Sequence, residues 1–172
     1  MAHGPGTVEL IGDDLIAEVL EKAKRSSRQR MNHNFHSGAQ DNPHRFLNIF
    51  IEGTYVAPHR HQNPPKTESF VVLEGFVTVI CFEDDGTVRS RHVLGQGPGA
   101  DTLPPAFRGL PESRGIDVAP GIWHTIAAIS PYAVCFEVKP GPWDPATDKE
   151  PAPWAPAEGD PKAPEYLGQL LS

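Results

Sequence analysis

An apolar period of two residues, beginning at Arg45 and persisting to Lys139, constrains this chain more than any other feature. Eight segments carry it: FLNIFIE, TYVAP, TESFVVLEG, FVTVICFED, TVRSRHVL, GIDV, WHTIAAI and AVCFEVK, each bounded by Gly, Pro or Asp. Period two puts alternate side chains on one face of a strand, and the bounding residues interrupt strand pairing. No helical pattern lies between the segments, so the strands pair antiparallel, and the expected fold is all-β, a sandwich or barrel of the jelly-roll type. Asp84-Asp85-Gly86 predicts a hairpin, because glycine supplies the positive φ of a tight turn.

Two flanks complete the organisation. Leu15, Ile16, Val19, Leu20 and Ala23 make one apolar stripe, which predicts a helix from Asp13 to about Arg30 with Asp13 or Asp14 as its cap. Residues 1–44 are then a helix and lead-in, 45–139 the barrel, and 140–172 a Pro-rich C-terminal arm. Trp143 and Trp154 are placed to lie over the barrel or to cross to a second subunit, giving a homodimer, and EYLGQLL suits a short final helix. The 16 glycines and 19 prolines concentrate in Gly95–Gly121 and Pro140–Pro164. The stretch at 95–115 is too long for a hairpin turn and reads as a loop that covers something or as a lid.

Charge and composition exclude several classes. Fifteen Lys and Arg against 22 Asp and Glu leave −7, so no broad basic surface exists for nucleic acid or anionic lipid. No apolar run reaches the roughly 18 residues of a membrane span. The first residues carry no secretion-signal pattern, and a cytoplasmic location is expected. The two cysteines, Cys81 and Cys135, sit inside strand patterns as buried thiols, not as a disulfide or a thiolate metal site.

The chemistry rests on histidine. His59 and His61 stand at i and i+2 on a strand, so both rings leave one face, with Cα atoms roughly 6.5 Å apart. The chain turns at Gln62-Asn63-Pro64-Pro65 and returns with Glu68, and His124 begins a later strand on the core face. A single strand histidine is usually a hydrogen-bonded core or surface group. Three histidines and a glutamate facing one apolar interior need a compensating partner, which a divalent cation supplies. Iron, manganese, nickel, cobalt or zinc all accept this donor set. Groups off the metal that are candidates for acid–base or ligand contacts are His36, Arg45, Tyr55 and Lys139. His36 ends an alternating row with Arg30, Asn32 and Asn34; Asn48 and Lys139 lie on or end strands; and Tyr55 shares the His59 face if the strand is unbroken.

The spacing Gly53-x5-His59-x-His61-x6-Glu68-x6-Gly75, followed by Pro120-Gly121-x2-His124, resembles the two signature motifs of the cupin superfamily. The six residues between His61 and Glu68 exceed the usual three or four, and Ala119 and Ala128 replace the usual proline and asparagine. From Arg28 to Tyr166 the strings RMNHNFH, HRFLNIFIEGTYVAPHRH, PPKTESFVVLEG, PGIWHTI, FEVKPGPW, DKE and WAP-x-EG look like the WbuC family of cupin-fold metalloproteins, which takes its name from O-antigen gene clusters. That resemblance implies a double-stranded β-helix barrel with His59, His61, Glu68 and His124 as metal ligands. The expected function is a small-molecule enzyme acting on a polar, sugar-derived metabolite, of the isomerase or dioxygenase type. A non-catalytic metal- or sugar-binding module is the alternative, and a metal-independent sugar epimerase is the third reading.

Overall fold

The computed structural model describes residues 8–96, 102–110 and 112–172. Helix α1 (Asp13–Arg25) is followed by β1 (Arg30–Asn34), β2 (His44–Ile51), β3 (His59–Arg60), β4 (Glu68–Phe82), β5 (Val88–Gln96), β6 (Glu112–Ser113), β7 (Gly115–Val118), β8 (Trp123–Lys139), β9 (Glu150–Pro151) and α2 (Ala163–Leu170). The main strand path is β1-β2-β8-β4-β5-β6, with β7 on β4 and with β3 between β8 and β9. This is a mostly-β, cupin-like jelly roll with an N-terminal helix, as expected.

Several local expectations change. TESFVVLEG and FVTVICFED join into one long strand, β4, and WHTIAAI and AVCFEVK join into β8. Gly75 bends the strand instead of ending it: it has φ +72°, and a Cβ there would stand 2.3 Å from the Tyr132 carbonyl oxygen. The β4–β8 register shifts on both sides of this bend, so two continuous strands serve two walls of the barrel. TYVAP forms no strand. Helix α1 ends at Arg25, short of Arg30, and Gln29 takes a left-handed φ of 53°. Gly12 is its N-cap without a side-chain bond, and Asp13 and Asp14 lie in the first turn, where they favour the positive end of the helix dipole.

Alternation along each strand separates two apolar layers. On β2, Leu47 and Ile49 face outward and pack with Ile16, Val19 and Ala23 of α1. Phe50, Phe70, Val72, Val79 and Cys135 fill the interior. Cys81 and Cys135 are buried free thiols. The C-terminal arm lies over its own barrel, where Trp154 and Ala152 pack on Phe82 and Trp123. Part of the 95–115 loop lies outside the described residues. In its described part, Leu103 and Phe107 cover Phe76, Val93 and Ile129. No described helix is long and apolar enough to cross a membrane.

Candidate metal centre

His59, His61, Glu68 and His124 converge as the spacing predicts, with one donor atom from each lying within 4.8 Å of the others. Three strands deliver His59, Glu68 and His124, while His61, expected on the strand with His59, directly follows β3, which ends at Arg60. β3 pairs with β8 so that His59 lies opposite His124, and residues directly opposite in an antiparallel pair share a face. β4 begins at Glu68. All four side chains are buried.

Backbone carbonyls set the histidine tautomers. Nδ1 of His59 donates to the Ala57 carbonyl at 2.9 Å, Nδ1 of His124 to that of Ile122 at 2.8 Å, and Nδ1 of His61 to that of Asp148. A carbonyl can only accept, so each neutral ring presents a bare Nε2 lone pair to the centre. Burial holds the His59 imidazolium well below the usual histidine range, and its Nε2 has no hydrogen-bond partner. His61 Nε2 is 2.9 Å from Glu68 Oε1 without hydrogen-bond geometry, and His124 Nε2 is 3.2 Å from Glu68 Oε2. Burial would raise the Glu68 carboxyl, but the Lys139 ammonium 3.2 Å from its Oε1 opposes that, and the group lies well below the usual carboxylate range. Lone pairs and a carboxylate facing one another in a dry interior are repulsive without a cation. The donors present therefore fit a divalent metal.

Beyond these four lies a cavity of about 410 Å³. Of the predicted acid–base candidates, Lys139 lies on its wall and contacts the carboxylate ligand: its Nζ donates to Glu68 Oε1 at 3.2 Å and to Asp148 Oδ2 at 3.1 Å. The other three lie elsewhere. Arg45 shares the outward parity of Leu47 and Ile49 and donates to the Phe35 carbonyl. His36 accepts from the Arg45 backbone N–H and stacks on His44 with ring centroids 4.0 Å apart. Tyr55 precedes β3 in an irregular segment, so strand parity does not carry it to the His59 face, and its hydroxyl donates to the Pro156 carbonyl at 2.7 Å. Of the alternating row, Arg30 and Asn32 reach the cavity.

Two wall residues were missed as candidates. Glu137 shares a face with Cys135 and Lys139 on β8, a period-two signal visible in the sequence. It accepts from Asn48 Nδ2 at 2.9 Å, and burial, aided by the Glu68 charge, pushes its carboxyl up to about 8. Asp148 comes from the arm, where no periodicity marks it. Burial opposes its ionisation, but Lys139 and Lys66 keep it ionised, with Lys66 Nζ 2.9 Å from its Oδ1.

A family model described as a domain of unknown function, DUF6016, matches residues 11–94, less than half of the chain. No curated protein matches the sequence. Among solved structures, the capsular polysaccharide assembling protein CapF from Staphylococcus aureus is similar at 17% identity and TM-score 0.52, covering 73% of this chain and 32% of CapF. This chain thus spans about a third of CapF. BH2720 from Bacillus halodurans is similar at 14% identity and TM-score 0.52, covering 84% of this chain and 88% of that one. Identities this low establish a shared fold alone. The cupin-like barrel thus carries a buried His-His-Glu-His cluster whose donor atoms could hold a metal ion.

Proposed function

We propose that this chain is a metal-dependent enzyme acting on a small polar metabolite, with His59, His61, Glu68 and His124 holding one divalent ion. The observation that carries the reading is the buried, unpartnered Nε2 of His59, whose ring is already committed at Nδ1. Such an ion, when bound, supplies Lewis-acid polarisation or oxygen activation at the cavity floor. The chain's own groups do the rest. Lys139 and the Asp148 carbonyl orient Glu68 and His61, while Phe46, Phe50 and Phe70 line the cavity and limit water. Glu137 is a cavity carboxyl outside the ligand set, and its raised proton affinity suits it to hold or pass a proton near neutral pH. The WbuC resemblance motivates a sugar-derived metabolite as the substrate.

Elemental analysis of anaerobically purified protein tests the assignment, together with melting before and after chelation. The expected result is about one metal ion per chain, with a lower melting temperature on chelation that is restored by added metal. Unchanged melting on chelation and on metal addition, with no metal retained, overturns it and favours a metal-independent histidine–carboxylate chemistry.

A further inference from the structure

Charge around the cavity is unevenly satisfied. Its acidic wall groups are all answered: Glu158 accepts from Arg30 Nη2 at 2.5 Å, Asp148 from Lys66 and Lys139, Glu68 from Lys139, and Glu137 from Asn48. Arg28 and Lys149 also line the cavity, and both are exposed. Among the described residues neither side chain makes an ion pair or hydrogen bond. In a chain of net charge −7, two cations on one cavity without a close partner are a local arrangement that composition does not produce, although the Lys149 charge also acts at longer range on Glu68 and Glu137. Low-dielectric walls such as Phe46 and Phe50 strengthen their field inside.

A second observation lies deeper. Asn48 Oδ1 is buried and has no partner, while the same side chain spends its Nδ2 on Glu137. A buried amide oxygen left bare is costly, and what it lacks is a donor. A hydroxyl on a bound molecule supplies one. At the outer wall Trp143 is 42% exposed, unusual for so large an apolar ring, and it offers a flat surface to a ligand.

We propose that the cavity receives a small hydroxylated anion, with its acid group met by Arg28 and Lys149 and a hydroxyl donating to Asn48 Oδ1. The assignment rests on the reading of this cavity as the chamber of the metal centre, and it adds the substrate class. A hydroxycarboxylate and a sugar phosphate share the required chemistry, and a cavity of about 410 Å³ suits a hexose-sized molecule.

The test is calorimetric titration of the metal-loaded full chain with gluconate, glucose 6-phosphate, glucose and butyrate. At least one of the two hydroxylated anions is expected to bind, and which one does separates carboxylate from phosphate. Neutral glucose and hydroxyl-free butyrate are expected to bind at least about tenfold more weakly. The Arg28→Gln/Lys149→Gln double variant should weaken anion binding about tenfold with metal content and melting temperature unchanged. Quenching of tryptophan fluorescence by the bound anion should diminish in Trp143→Phe. Equal binding of glucose and the anions, no binding of either anion, or an unaffected double variant overturns the proposal. Metal content of the same samples separates the two readings: failure of the anions on protein that holds its metal removes the substrate class alone, whereas protein that takes up no metal removes the centre.

Discussion

His59 shows how a single side chain is specified by what its two nitrogens can do. With Nδ1 bonded to the Ala57 carbonyl, only Nε2 remains, and it is buried without a partner. His59→Ala should therefore lose nearly all bound metal in elemental analysis, and its melting temperature should no longer respond to chelator. Glu137 makes a pH-dependent prediction for the chelated protein. Its folded-state carboxyl titrates near 8 against an ordinary 4.5, so between these values the folded chain binds more protons than the unfolded one. Stability from this group is complete below the lower value and is lost as pH rises through the higher one. Denaturant titrations of the chelated protein from pH 5 to 9 should show that loss, and Glu137→Gln should flatten it. Histidine and glutamate identities were legible from motif spacing. The directions of His36, Arg45 and Tyr55 were not, because parity holds only inside an unbroken strand and the inward face of β2 belongs to Phe46, Asn48 and Phe50.

At the scale of elements, the bend in β4 is the feature on which barrel closure depends. Gly75 combines a positive φ with a neighbouring carbonyl that leaves no room for a side chain. Gly75→Ala should cost about 2 kcal/mol or more in chemical denaturation, beyond the usual cost of an exposed glycine replacement. Period two announced the strands at either side of this residue, and Gly75 itself reads as a terminator in sequence. Whether a glycine ends a strand or bends it depends on what packs across it, here the Ser130–Tyr132 segment of β8. TYVAP shows the converse, since its alternating pattern finds no strand partner.

Taken as a whole, the molecule closes its site with the C-terminal arm. The arm supplies the Asp148 carbonyl to His61 and the Asp148 carboxylate to Lys66 and Lys139, both buried. Asp148→Ala leaves two ammonium groups without their shared counter-charge, and breaking such a buried arrangement costs about 3–5 kcal/mol. Thermal melting should register that loss together with weaker metal retention, because Lys139 also contacts Glu68. Trp154 secures the arm against Phe82 and Trp123, with ring centroids 4.9 and 6.2 Å away. Trp154→Ala should lower stability by about 3 kcal/mol and speed hydrogen exchange in the arm around it.

By itself, the amino-acid order determined the strand-rich class, the N-terminal helix and the four residues able to hold an ion, because those properties follow from periodicity, from donor chemistry at short spacing for His59, His61 and Glu68, and from the motif resemblance that adds the distant His124. Tertiary structure decided which polar groups join the predicted Lys139 in the chamber: Glu137 from β8, Asn48 from β2, Asp148 from the arm and Arg28 from the lead-in. These positions are far apart along the chain, and each is brought to the cavity by pairing, by a bent strand or by an aperiodic arm. Local patterns carry no information about contacts formed across such distances.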